Sequence, residues 1–104
     1  GRAARGGLWQ DVEVIKILLP YNWSGDIVMV GLGLGNDVRH VLSFPEVNRL
    51  HVVEREQAII DLFPLDDPRL SITCATWHDD MAWPGWTIIY TVDGYWAVHV
   101  QNRG

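Results

Sequence analysis

The sequence predicts an α/β fold with a mainly parallel sheet and flanking helices, and two observations carry this prediction. Between residues 27 and 92, short continuous apolar runs alternate with short amphipathic runs. A glycine-rich loop at residues 31–35 separates the first apolar run from the first amphipathic one. Strands that alternate with helices are typical of βαβ units, whose parallel strands are buried on both faces. The 104 residues suffice for one small domain.

The first 26 residues are expected to precede this domain, which spans residues 27–104. Residues 1–7 are rich in Gly and Ala, which is typical of a leader. Residues 8–19 fit either a helix or a strand, since both apolar periods are present. Pro20 ends either element.

Four apolar runs predict the strands of the sheet. They cover residues 27–30, 50–53, 70–74 and 86–92. Asn36 is expected to cap a first helix over residues 37–44, and a second helix is expected over residues 56–63. The residues expected to face the sheet are Val38, Val41 and Leu42 in the first helix and Ile59, Leu62 and Phe63 in the second.

The end of the sequence departs from the βαβ pattern. Asp93-Gly94 lies between two β-rich runs, residues 87–92 and 95–100. An Asp-Gly pair between two such runs favours a two-residue hairpin turn. The C-terminal run is therefore expected to fold back as an antiparallel hairpin rather than to cross over through a helix.

The main motif is Gly31-Leu32-Gly33-Leu34-Gly35, which follows the first predicted strand and precedes the first helix. Glycines permit positive φ angles and let a ligand approach the backbone without a Cβ in the way. The N-terminus of the next helix favours a carboxylate or phosphate. Glu54 ends the following strand, where a carboxylate can accept both hydroxyls of a ribose. The alternative interpretation is a tight turn with a solvated Glu54.

The glycine spacing favours a single nucleoside over a dinucleotide. A dinucleotide fingerprint has Gly or Ala three residues after its second glycine, and Asn36 occupies that position. The G-x-G-x-G spacing suits a nucleoside with a short charged tail. A nicotinamide-dependent oxidoreductase is therefore the least favoured function class.

Three segments resemble the class I S-adenosylmethionine-dependent methyltransferases, and within them the spermidine-synthase-like branch. The segments are residues 28–36, 44–54 and 67–72, and the resemblance covers residues 27–93. It implies a Rossmann-like domain that binds S-adenosylmethionine or its decarboxylated form. The expected partner is therefore a small-molecule ligand, and the implied reaction moves a methyl or aminopropyl group from it to an acceptor that the sequence does not name.

The resemblance implies roles for individual residues. Glu54 would hold the ribose, Arg55 would flank the adenine beside Glu56, and Asp93 would face the transferred group in catalysis. The expected cofactor-binding residues are Gly31, Leu32, Gly33, Gly35, Asn36, Glu54, Arg55, Thr76 and Trp77. Two of these assignments have alternatives: Trp77 would otherwise cover the edge of the core, and Asp93 would otherwise begin a hairpin turn.

The sequence departs from the family pattern in three places. Thr76 occupies the position of an acidic residue that contacts the adenine amino group in the family. Residues 94–96 supply none of the acidic side chains associated with aminopropyl transfer. The sequence ends where the family's sheet is half built, so a second copy or a partner domain is expected to complete the acceptor pocket. The alternative function is a non-catalytic, truncated module that serves assembly through a bare strand edge.

The amino-acid composition indicates which classes of partner the protein can bind and in which compartment it is expected. Residues 54–93 contain eight acidic residues and two arginines, which argues against a nucleic-acid groove. No apolar run approaches the roughly 20 residues that span a membrane. The single cysteine, Cys74, is expected to be a small buried side chain, and it fits a soluble, cytoplasmic protein.

A zinc site is not expected, because Cys74 and His78 have no further Cys or His at the spacing that zinc ligands require. His51 is expected to be a hydrogen-bonded core residue.

Overall fold

A computed structural model describes residues 8–9, 25–32, 35–92 and 95–100; for residues 8–9, 91–92 and 95–100 it describes the backbone alone. The strands are β1 (Leu8–Trp9), β2 (Asp26–Val30), β3 (Arg49–Glu54), β4 (Leu70–Cys74), β5 (Thr87–Val92) and β6 (Tyr95–Val100). The helices are α1 (Asn36–Leu42) and α2 (Gln57–Leu62).

The strands form one sheet in the order β1-β6-β5-β2-β3-β4. The four strands β5, β2, β3 and β4 are parallel, which confirms the predicted α/β fold with a mainly parallel sheet. The backbone of β6 runs antiparallel to β5, and β1 runs antiparallel to β6. The Asp93-Gly94 turn lies outside the described residues, so the hairpin turn stays a prediction.

Both helices pack on one face of the sheet, where they enclose the larger part of the core. Alternate residues of β2 and β3 point to this face, because side chains in a strand alternate between faces. They meet the inner side of α1 and the half-buried residues of α2. The fully buried members include Ile27, Leu50, Val52, Val38 and Val41.

Aromatic side chains from the loop between β4 and β5 cover the opposite face. Val28, Val53 and Ile88 form the buried centre of this smaller cluster. Trp83 and Trp86 pack against this cluster. Their two rings meet edge to face, with centroids 5.1 Å apart. In many α/β folds a second layer of helices covers this face of the sheet. Here the side chains of an irregular loop cover it instead.

Gly35 is the N-cap of α1, so the prediction that Asn36 caps this helix is wrong. Gly35 adopts a left-handed conformation with φ +86°, and no side chain caps the helix N-terminus. Asn36 is the first helical residue, and its side chain is exposed. The physical reason is that the loop enters the helix through a positive φ, which favours glycine over asparagine.

Helix α2 buries fewer of its side chains than the sequence predicts. Ile59 and Phe63 pack against the core as expected, whereas Leu62 is 81% exposed, which corrects the prediction that it faces inward. Cys74 is also exposed, at the end of β4, so its predicted burial is wrong. Both residues lie at the β4 end of the sheet, where β4 is the outer strand and α2 packs against β3 and β4.

Arg69 ties the end of α1 to the start of β4. Its guanidinium donates to the carbonyl oxygens of Leu42 at 2.6 Å and of Phe44 and Val47 at 3.2 Å each. It also binds the Asp67 carboxylate at 2.9 and 3.1 Å, and these bonds hold the pKa of Asp67 below its usual range. The Leu42 carbonyl, which the helix end leaves without a helical partner, thus has a charged donor.

His51 lies half-buried in the middle of β3, with both ring nitrogens hydrogen-bonded. Ser71 lies 2.6 Å from Nδ1 and Thr73 lies 2.8 Å from Nε2, and the ring is tilted against Trp83. The sequence-based expectation of a hydrogen-bonded histidine is confirmed. Desolvation by burial lowers the pKa of His51 below its ordinary value.

The lowered pKa of His51 makes stability depend on pH. The unfolded state takes up this proton near pH 6.5, whereas the folded state resists it, so folding is favoured above that pH. We expect the free energy of unfolding to fall as the pH drops from 7.5 through the lowered pKa. Urea titrations at several pH values should show a smaller decline for His51→Gln than for the wild type. An identical decline in both proteins would contradict this assignment.

Candidate functional site

The parallel strands β2, β3 and β4 end at one edge of the sheet, and a cleft lies there. Its volume is about 320 Å³. The chain runs outward from β2 to β4 and then returns to β5 on the other side of β2. Open α/β sheets bind ligands beyond the carboxyl ends of their strands, near such a reversal, and the β2 end of this cleft lies next to it. The cleft is lined by Val30 and Gly31 after β2, Val53, Glu54 and Arg55 at the end of β3, and Ala75, Thr76 and Trp77 after β4.

Gly31 leaves the cleft open at the end of β2. It has φ +91°, and a Cβ built on it would meet no atom within 4 Å. Its N–H donates to the Val53 carbonyl at 2.8 Å, which fixes the loop against β3. A ligand can therefore approach this backbone closely, as the sequence predicts for the first glycine of the motif.

Gly35 has a structural role in the same loop. A Cβ on Gly35 would overlap the ring of Phe63, so the missing side chain lets α1 and the segment after α2 pack together. Gly35 and Asn36 do not line the cleft. The side chain of Leu32 is 3% exposed and belongs to the core, while Gly33 lies outside the described residues. The structure thus brings one described glycine of the motif, Gly31, to the cleft.

Glu54 forms the polar wall of the cleft. Glu54 is 6% exposed. Its carboxylate accepts two backbone hydrogen bonds. The N–H of Leu32 donates to Oε1 at 2.7 Å, and the N–H of Glu56 donates to Oε2 at 2.9 Å. The carboxylate therefore connects the glycine loop to the end of β3 and is held in one orientation at the cleft.

Replacement of Glu54 with alanine should destabilise the fold. The change removes two charge-assisted hydrogen bonds and leaves the buried Leu32 N–H without its acceptor. We expect the free energy of unfolding to fall by about 2 kcal/mol. Glu56→Ala is the matched control, because that side chain is 61% exposed and should change stability by less than about 0.5 kcal/mol. Equal urea midpoints for the two variants would show that the Glu54 bonds contribute nothing.

The remaining predicted residues complete two sides of the cleft. Arg55 is 73% exposed, and its Nε lies 3.8 Å from Oε1 of Glu56. Thr76 is exposed within the cleft lining. Trp77 is half-buried, and its Nε1 donates to the Asp79 carboxylate at 3.2 Å. Trp77 both covers the smaller core cluster and lines the cleft, so its two interpretations coexist.

Three apolar lining residues were not anticipated as site residues. Val30, Val53 and Ala75 present apolar surface on one side of the cleft. Their signal in the sequence was their place at the ends of predicted strands, on the face opposite the helices. Asp93, the predicted catalytic residue, lies outside the described residues.

In the described part of the chain, no group of His, Cys, Asp and Glu side chains could hold a metal ion. None of the helices in this part has the length and apolar character needed to cross a membrane.

No protein-family model matches the chain, and neither a curated protein nor a solved structure matches it.

Proposed function

We propose that the protein is Rossmann-like and binds a nucleoside ligand, S-adenosylmethionine, in the cleft at the carboxyl ends of β2, β3 and β4. One observation carries the proposal. The open backbone of Gly31 lies at the cleft that is walled by the buried, oriented carboxylate of Glu54. Glycine loop and strand-terminal acid are the pair that nucleoside sites in open α/β sheets use.

The chemistry of the walls suits the parts of this ligand. Ribose hydroxyls are donors, and the Glu54 carboxylate is an acceptor whose direction two backbone N–H groups fix. Ala75 and Trp77 offer apolar surface for the base, and Thr76 offers a hydroxyl that can both donate and accept. The cleft volume of about 320 Å³ lies at the lower end of small-molecule sites.

The proposed activity is transfer of a methyl or aminopropyl group from the bound cofactor to a small-molecule acceptor. Asp93 follows β5 in the sequence, so it directly succeeds the strand that lies beside β2. Its carboxylate is proposed to face the transferred group and orient the acceptor. An assembly function is the second candidate, because β4 has no neighbour on its outer side among the described strands.

Calorimetric titration with S-adenosylmethionine, and then with S-adenosylhomocysteine, tests this proposal. We expect about micromolar affinity for at least one of them. Thr76→Trp fills the cleft from an exposed lining position and should weaken binding more than about tenfold. Ala58→Trp is the matched control, since Ala58 is exposed on α2 and does not line the cleft. Absence of binding by folded protein, or equal affinity in Thr76→Trp, would contradict the site.

A further inference from the structure

The outer edge of β4 is open among the described strands, and its hydrogen-bonding groups can be assigned. The N–H of Leu50 donates to the Arg69 carbonyl at 2.9 Å, and the N–H of Ala75 donates to the Glu54 carbonyl at 3.0 Å. In a parallel ladder, alternate residues turn both backbone groups toward the neighbouring strand. Arg69, Ser71, Thr73 and Ala75 therefore face β3, and the residues that face outward are Leu70, Ile72 and Cys74.

The outward groups are complementary to themselves. The N–H of Leu70 already donates to the Asp67 carbonyl at 2.9 Å, so Leu70 offers its carbonyl alone. Ile72 and Cys74 each offer an N–H and a carbonyl. A twofold axis through Ile72 would pair Ile72 with the partner subunit's Ile72 in both directions. The same axis would bring the Cys74 N–H to the partner subunit's Leu70 carbonyl, and the reverse, in an antiparallel register.

The edge also lacks the features that keep natural edge strands apart. β4 has the sequence Leu-Ser-Ile-Thr-Cys, with no charge and no proline. The side chains of Ser71, Thr73 and Cys74 are exposed. On the helix-bearing face, α2 packs against β3 and β4 without a single buried residue, and its Leu62 is 81% exposed. Apolar surface therefore accompanies the open backbone edge.

We propose that two copies of this chain associate through β4 to form a symmetric dimer with one continuous sheet. The interface consists of the antiparallel β4 pair centred on Ile72, flanked on one face by α2 and its Leu62 from each copy. The outward donors and acceptors around Ile72 match their own twofold copies, so the occupant we propose is a second copy of the chain. The inference goes beyond ligand binding and does not depend on it, because no cleft residue contributes to the pairing.

Sedimentation equilibrium of the wild-type chain without ligand tests the dimer. We expect a mass that rises with concentration from 11.8 kDa toward twice that value. Cys74→Pro deletes an outward N–H that β3 does not use, so it should weaken association at least about tenfold while the sheet persists. Cys74→Ala is the matched control, because it removes the thiol, keeps the N–H and should dimerise like the wild type.

A second pair of variants keeps the test decisive if Cys74→Pro fails to fold. Leu62→Glu places a charge at the proposed interface and should weaken association, whereas Gln57→Glu, exposed on the other side of the same helix, should not. A wild-type mass that stays at 11.8 kDa up to millimolar concentration would overturn the proposal. Equal association in Leu62→Glu and Gln57→Glu would overturn it as well.

Discussion

Gly35→Ala is expected to lower the free energy of unfolding by about 3 kcal/mol, whereas Gly31→Ala is expected to lower it by about 1 kcal/mol. Both glycines have φ angles near +90°, so both variants acquire the strain of alanine in the left-handed region. They differ in what the new Cβ meets. At Gly35 it overlaps the Phe63 ring, and at Gly31 it meets no atom within 4 Å.

Urea unfolding of both variants measures this difference, and a double variant isolates its cause. In a Phe63→Leu background, Gly35→Ala should cost about 1 kcal/mol less, because the smaller side chain leaves room for the Cβ. If Gly31→Ala and Gly35→Ala destabilised the protein equally, the contact with Phe63 would not explain the need for glycine at position 35.

Arg69→Ala is the second substitution with a large expected effect, a loss of about 3 kcal/mol in the free energy of unfolding. The Arg69 side chain is only 28% exposed, and it donates to three carbonyl oxygens as well as to Asp67. Removing it leaves those carbonyls without a charged donor at the junction of α1 and β4. Arg69→Lys should recover less than half of the loss, because an ammonium cannot reproduce the planar fork of donors.

Chemical denaturation of Arg69→Ala, Arg69→Lys and Arg55→Ala checks this expectation. Arg55 is the matched control because its side chain is 73% exposed and lies 3.8 Å from Glu56, which predicts a change of less than about 0.5 kcal/mol. Equal stability of Arg69→Ala and Arg55→Ala would mean that the carbonyl bonds are replaced by water without cost.

The strands of this fold could be predicted because they depend on local hydrophobic pattern. Ile27 and Val28 are apolar together, since β2 is buried on both faces between β3 and β5. The position of a strand in the sheet has no such local signal. Cys74 ends an apolar run like the others, yet it is exposed because β4 is the outer strand. Leu62 matches the helical period of α2, yet that helix has too little sheet beneath it to bury it.

The sequence motif predicted where the candidate site would lie, but not which of its glycines would line the cleft. The order of strand, glycine loop, helix and strand-terminal Glu54 indicated where the cleft would form. The glycine pattern could not distinguish Gly31, which opens the cleft, from Gly35, which accommodates Phe63. That distinction depends on a side chain 28 residues farther along the sequence, so spacing alone cannot supply it. The network of Arg69 is nonlocal for the same reason, since it joins residues more than 20 positions apart.

The cleft beside Gly31 and Glu54 is the proposed binding site for S-adenosylmethionine. Amide chemical-shift mapping of the ¹⁵N-labelled protein during titration with this ligand tests it most directly, because the method reports binding and location together. We expect the largest shifts at Gly31, Leu32 and Glu56, and at Ala75 to Trp77, with little change at Ala58 on α2. An unchanged spectrum at saturating ligand, or shifts confined to residues away from the cleft, would contradict it.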